Sequence, residues 1–288
     1  MAWNAKTGAA PAALATRAPA RVTCEFEGRR TNTVNAVILS AGRGRRLLPL
    51  TKRRPKCLLP VGGRSILEWQ VRQMAGAGVN RCTVVTGFGA ERVAREVEEM
   101  FPRPEDTQTL YNPYYAFTDN LVSCWHARGE MEDDFLLVNG DTLFEPAVLG
   151  TMLDSATAPI SLCIATKSEY DSDDMKVQLD GSRLVRIGKD LPAHLTDAES
   201  IGMLLFRGDG PQLFRDQLAS MIKTGEGNRL WYLSAIDQLA KTGCVSVVSV
   251  DGYDWAEVDA PEDLDDATRV VSGFPAPRPV AAGFAATV

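Results

Sequence analysis

The run from Val34 to Leu39, apolar at Val34, Ala36, Val37, Ile38 and Leu39, empties directly into Ser40-Ala41-Gly42-Arg43-Gly44. A short β-branched apolar segment of this kind reads as a buried strand. A buried strand feeding a glycine-containing turn belongs to α/β architecture, and the pattern repeats downstream. Ser65 precedes a stretch apolar at Ile66, Leu67, Trp69, Val71 and Met74 that ends in glycines, which predicts an amphipathic helix. Cys82–Thr86 reads as the next strand, and Ala90–Phe101, with Val93, Val97 and Met100 on one face, as a second helix. Thr107–Tyr111 is a short strand, Asp119-Asn120 opens a helix through about Arg128, and Phe135–Val138 is a strand followed at once by Asn139-Gly140-Asp141. Such alternation predicts a mostly parallel sheet with covered faces.

From Ile160 the texture changes. ISLCIAT, MKVQLDG, SRLVRIG and SIGMLLF read as short strands with a hairpin turn at Asp180-Gly181, so this half is mixed. Helices are expected near 209–223 and 230–241, then a strand at Val245–Val250 and a last helix from about Pro261. No internal repeat or linker divides the chain. One domain is expected over 33–270, between flexible extensions at 1–32 and 271–288 that are rich in Ala and Pro.

Arg43, Arg45, Arg46, Lys52, Arg53, Arg54 and Lys56 follow the glycine turn without one acidic residue among them, although the whole chain has a net charge of −6. A local positive cluster in an acidic protein argues against a nucleic-acid partner. It points to a small ligand with more than one phosphate, a nucleoside triphosphate first. No apolar run approaches the ~20 residues of a membrane span, so no membrane partner is expected. The six cysteines show no CxxC pair, and His126 and His194 offer no pairing. Reduced, buried thiols in a cytoplasmic protein are therefore expected rather than a zinc site.

Ser40–Gly44 is not a Walker loop, which needs GxxxxGK[ST], nor a dinucleotide fingerprint, because GRGRRL lacks the third glycine. Pro49 and Pro55 also interrupt any helix that would follow. Phosphate chemistry needs a metal-binding carboxylate pair beside such a cradle. Asp141 stands at the carboxyl end of an expected strand, where open α/β sheets place ligands. Glu257 and Asp259 alternate on an expected strand, so both face one side and Val258 the other. Asp141 with Asp259 and Glu257 is thus the candidate Mg²⁺ site, with a helix cap as the second reading of Asp259. Lys176 in DDMKV and Lys189 in IGKDL are either solvated edge-strand guards or contacts to an anionic group. Trp231-Tyr232 and the pair Tyr253 and Trp255 are either core packing or a face for a cationic group.

LSAGRGRRLLPLTKRRPKCLLPVGGRSIL, at 39–67, resembles the sugar-nucleotidyltransferase pattern LxAGxGxRLxPLTxxxPKxLLPVxGxxxL. LLVNGDTLF (136–144) resembles that family's metal-aspartate strand, and WAEVDAPEDL (255–264) its second metal carboxylate. Within the family, YNPYYAFTDNLVS, DDMKV, IGKDL and ESIGMLLF are similar to cytidylyltransferases acting on phosphocholine, aminoethylphosphonate-type or inositol phosphate acceptors. The resemblance implies a Rossmann-like three-layer sandwich with a mostly parallel mixed sheet, of the nucleotide-diphospho-sugar transferase type. It implies a Mg²⁺-dependent cytidylyltransferase that joins CMP from CTP to a small phosphate or phosphonate acceptor. By that resemblance Arg46, Lys56 and Asp141 are catalytic, and Leu39, Ala41, Gly42, Gly44, Arg46, Gly87 and Asn120 bind the nucleotide. Lys176, Lys189, Glu199, Trp231 and Tyr232 would meet the acceptor, and Asp141, Glu257 and Asp259 the metal. Leu233-Ser234 depart from the acidic residues that choline-binding relatives often carry there, which counts against phosphocholine. The rival readings are a sugar-1-phosphate nucleotidyltransferase using dTTP, UTP or GTP, and a non-catalytic nucleotide-sugar-binding regulatory subunit. The acceptor and the oligomeric state, a homo-oligomer included, stay open at this level.

Overall fold

The computed structural model describes residues 34–101, 103 and 105–275. The expected extension at 1–32 and the tail beyond Pro275 lie outside them. The first half of the chain forms β1 (Val34–Ser40), β2 (Pro60–Val61), β3 (Arg64–Ser65), α1 (Ile66–Gly76), β4 (Val79–Thr86), α2 (Ala90–Met100) and β5 (Thr107–Tyr111). It continues with α3 (Asn120–His126), β6 (Phe135–Asn139), β7 (Thr142–Phe144), α4 (Pro146–Ser155) and β8 (Ile160–Ala165). The second half adds β9 (Lys176–Asp180), β10 (Arg183–Gly188), β11 (Ala198–Phe206), α5 (Gly210–Lys223) and α6 (Tyr232–Ala240). It closes with β12 (Val245–Ser249), β13 (Trp255–Glu257) and α7 (Asp263–Gly273).

Local chemistry accounts for the boundaries. Ser65 caps α1 by accepting the Glu68 N–H at 3.1 Å. The proline-broken basic run forms three short 3-10 turns, Arg45–Leu47, Leu50–Lys52 and Lys56–Leu58, in place of a helix. The hairpin at Asp180-Gly181 is present, with Arg183 opposite Asp180. The last helix starts at Asp263 rather than Pro261, and it runs past the expected domain end at 270. Phe274 packs edge-on against Trp69, with ring centroids 5.9 Å apart, so the folded unit includes it.

Nine strands form one sheet in the order β5-β4-β1-β6-β11-β8-β12-β10-β9. β5, β4, β1 and β6 pair in parallel, as do β8 and β12. The remaining pairings are antiparallel, because β11 enters between β6 and β8 against both. Only β10 and β11 run against the other seven strands, so the sheet is mixed and mostly parallel in direction, as expected. β1 shows how its faces are covered. Ala36 and Ile38 pack with Leu67 and Val71 of α1 and Val93 of α2, whereas Val37 packs on the other side with Leu121 of α3 and Phe214 of α5. Helices thus lie on both faces of the sheet. A third cluster joins Ile66 and Trp69 of α1 to Val258, Val271 and Phe274.

Among the described residues no helix is long and apolar enough to cross a membrane. All five described cysteines are buried, as expected. Phe206 stacks on Phe135 with centroids 4.4 Å apart and meets Phe214 at 4.7 Å, at the centre of the second cluster. Phe206→Ala is expected to cost about 3–5 kcal/mol, measured as a lower urea midpoint at an unchanged m-value.

Candidate functional site

The direction in which strands are added reverses between β1 and β6, and ligands of open α/β sheets bind at the carboxyl ends of such strands. β1 ends at Ser40 and β6 at Asn139, so Ala41–Gly44 and Gly140-Asp141 share that end of the sheet. Buried Gln70 of α1 fixes the turn after β6, donating its Nε2 to the carbonyls of Asn139 at 2.7 Å and Thr142 at 2.8 Å. β13 pairs with β7, and the Val258 N–H donates to the Asp141 carbonyl at 3.2 Å. That small ribbon carries Glu257 and Asp259 to Asp141 and turns Val258 into the third cluster, as the alternation predicts. Asp259 is not a helix cap. Asp263 Oδ2 takes the backbone N–H groups of Asp259 and Ala260, both at 2.7 Å, which leaves the Asp259 carboxylate for the site.

Lys56 Nζ lies 2.6 Å from Asp141 Oδ2 and 2.5 Å from Asp259 Oδ1. Arg46 reaches Asp259 Oδ2 at 2.8 Å with one nitrogen and Asp173 Oδ2 at 2.7 Å with the other. Burial alone would lower the Lys56 pKa, but Asp141 and Asp259 more than offset it and hold it above its ordinary value. Asp259 is held below its ordinary value, because Lys56 and Arg46 outweigh the effect of its burial. Glu257 goes the other way. Burial, then the charges of Asp141 and Asp259, push it up to about 8. Asp141 Oδ1 is buried with no hydrogen-bond partner. Among the described residues no group of three or more His, Cys, Asp and Glu side chains is gathered as a metal cage.

Three adjoining hollows share Asp141. Leu39, Ala41, Gly42 and Asn120 line the first, with Tyr115 and Trp231. Gly42, Gly44, Arg46, Lys56 and Asp259 line the second, with Arg45. The third is lined by Arg46, Lys189, Glu199, Trp231, Glu257 and Asp259, with Asp173 and Asp174. Lys189 reaches Asp173 at 3.4 Å and lies over the Trp231 ring, 5.0 Å from its centroid. Lys167 pairs with Asp174 at 2.6 Å and Glu199 at 3.0 Å.

Two expected site residues, Gly87 and Lys176, stand outside the three hollows. Gly87 lies behind the glycine turn, where a Cβ would come within 2.5 Å of both the Ala41 carbonyl oxygen and Tyr115 Cβ; it lets the two loops close together. Lys176 is buried on β9 and donates to the Lys189 carbonyl at 2.9 Å, so it braces the strand that presents Lys189. Tyr232 is wholly buried yet lines the third hollow, and its hydroxyl donates to Asn139 Oδ1 at 3.1 Å. Asn139, Tyr115, Lys167, Asp173 and Asp174 join the site without having been singled out from the sequence. The adjacent acids of DDMKV were the available signal for the last two.

The family model of the MobA-like NTP transferase domain matches residues 36–171. A CMP-5'-(3-aminopropyl)phosphonate synthase of Streptomyces rubellomurinus is 31% identical over 80% of this chain, which spans 37% of that protein's length. A 2-aminoethylphosphonate cytidylyltransferase of Lancefieldella rimae is 26% identical over 83% of this chain and 93% of its own length. The fold also matches the solved inositol-1-phosphate CTP transferase of T. maritima, with a TM-score of 0.71 and 20% identity over 85% of this chain and 99% of that one. The match to the MobA-like NTP transferase domain runs from Ala36 at the start of β1 to Asp171 before β9.

Proposed function

We propose that the protein transfers CMP from CTP to an aminoalkylphosphonate, with release of pyrophosphate. One observation carries the nucleotidyl-transfer half. Lys56 and Arg46 meet Asp141 and Asp259 where a glycine turn closes the switch-point strand of the sheet. Cations beside a cradle suit a polyphosphate. In this reading the first hollow takes the base and ribose, the second the phosphates and the third the acceptor.

The residues present fit Mg²⁺. Asp141 Oδ1 is a buried oxygen without a partner, and Asp259 and Glu257 add hard donors beside it. A carboxylate pair suits this ion better than a closed cage, because Mg²⁺ keeps waters and takes phosphate oxygens as its other ligands. Bound there, the ion would polarise phosphate oxygens and offset their charge.

Charges of both signs support the acceptor. Arg46 and Lys189 stand among Asp173, Asp174 and Glu199 in one hollow, which suits a small molecule with one anionic and one cationic end. Inositol phosphate has no cation for those carboxylates. A choline head group prefers an open aromatic face, yet the Lys189 ammonium already lies over the Trp231 ring. The two relatives named for aminopropyl- and aminoethylphosphonate support the same choice.

A phosphonate oxygen attacks the α-phosphorus in line. The new O–P bond forms as the bond to the α,β-bridging oxygen breaks, and that oxygen leaves with the electron pair as pyrophosphate. The attacking group is already anionic, so no general base is needed. Lys56 offsets charge on the α-phosphate and Arg46 charge on the departing pyrophosphate, so catalysis is alignment and neutralisation.

Pyrophosphate release is measured with CTP, UTP, dTTP and GTP against 2-aminoethylphosphonate, 3-aminopropylphosphonate, phosphocholine, inositol 1-phosphate and glucose 1-phosphate, with product masses. CTP with an aminoalkylphosphonate is the expected pair. Turnover with dTTP and none with CTP rejects the base, and turnover of glucose 1-phosphate alone rejects the acceptor. Lys56→Ala and Asp141→Ala are each expected to lower kcat at least ~100-fold, the usual loss for one preorganised charge contact, while the circular dichroism spectrum stays that of the parent protein.

A further inference from the structure

Asn139 ends β6 two residues before Asp141 and lines both the first and the third hollow. Its Oδ1 accepts from the Tyr232 hydroxyl at 3.1 Å. Tyr232 is fully buried, and a buried phenol places its proton on an acceptor. That bond sets the orientation of the amide, with the carbonyl end on Tyr232 and Nδ2 turned away from it. β11 makes room for the other end. Its register against β8 shifts between Ser200 and Leu204, and Gly202 lies in that stretch at φ 74°. A Cβ at Gly202 would stand 2.7 Å from Asn139 Cγ, so the missing side chain is the slot the amide fills. Nδ2 is the atom nearest that slot, beside Gly202 on the wall of the third hollow, and among the described residues it donates to no protein group. Arg46 and Lys189 are both engaged by Asp173, whereas this donor is uncommitted.

We infer that Asn139 is an acceptor-binding residue, its Nδ2–H donating to a phosphonate oxygen where the acceptor meets the α-phosphate, and that Tyr232 is the positioning residue that aims it. The inference rests on the nucleotidyl-transfer reading above and adds a neutral donor to its charged groups. A donor without charge holds an oxyanion there without competing for Asp141.

The test is calorimetric. Protein saturated with Mg²⁺ and the unreactive analogue cytidine 5′-(α,β-methylene)triphosphate is titrated with 2-aminoethylphosphonate. Asn139→Ala is expected to weaken 2-aminoethylphosphonate about tenfold or more, as for a lost hydrogen bond to a charged group, and the analogue less. Asn139→Asp keeps the acceptor for Tyr232 but replaces the donor by an oxygen, and should weaken it further. Tyr232→Phe should weaken it less, and should add nothing in the Asn139→Ala background. Parent-like binding by Asn139→Asp overturns the inference, because Asn139 would then serve only to satisfy Tyr232. An additive Tyr232→Phe effect overturns the positioning role, and absent 2-aminoethylphosphonate binding by the parent overturns the subsite. Analogue binding is read first. A chain that takes the uridine or thymidine analogue instead refutes the cytidine assignment alone, and the titration is run in that complex. A chain that binds no triphosphate refutes the nucleotidyl-transfer reading and this inference together.

Discussion

A single ammonium group ties together positions that lie 85 and 203 residues apart, with Lys56 Nζ on Asp141 at 2.6 Å and on Asp259 at 2.5 Å. For those atoms to meet, β1 and β6 must be neighbours and end level, and the β7–β13 ribbon must return the chain to the same point. Asp263 must also relieve Asp259 of local hydrogen bonding. Desolvation offsets much of the attraction in such a cluster, so it is poor ground for a claim of stability. Its effect is to specify. A slip of β6 by one residue would turn Asp141 toward the opposite face, leaving Lys56 to share Asp259 with Arg46.

The parts of this arrangement that were legible in the sequence are those governed by short-range rules. Buried strands, amphipathic helices and the positions just past a strand end announce themselves within a few residues. That is why Ala41, Gly42, Lys56, Asp141 and Asp259 could be placed in advance. Sheet order is not of that kind. β11 has nine buried residues in a row and reads as a core strand, yet nothing local says that it runs against both neighbours. The expected mixed, mostly parallel sheet for that reason left open which strands run against the rest, and these are β10 and β11. Lys176 and Lys189 illustrate the same limit at the scale of a side chain. Both sit in short polar-flanked segments, and only the pairing of β9 with β10 and β11 decides that one is buried and the other lines a hollow.

Residues of the third hollow were the least legible because no single element carries them. Lys167 and Asp173-Asp174 come from the loop between β8 and β9, Lys189 from the turn after β10, Glu199 from β11, and Trp231 from the residue before α6. The first two hollows draw on the glycine turn and the ends of β1 and β6, where one motif implies the next. Loops vary while the scaffold that positions them holds, so the glycine turn fixes the donor side of a reaction and leaves the acceptor side to be read from assembled charges.

Those charges are already paired with one another. Asp173 takes Arg46 and Lys189, and Lys167 takes Asp174 and Glu199. A ligand entering such a hollow exchanges partners with the ion pairs, instead of stripping water from unpaired groups. A molecule with a single charge would free one member of a pair and leave its former partner uncompensated, at a desolvation cost that rises with burial. A molecule with an anionic and a cationic end can take over both members at once. On the proposed reading, selectivity in the third hollow would come from matching two charges in number and spacing.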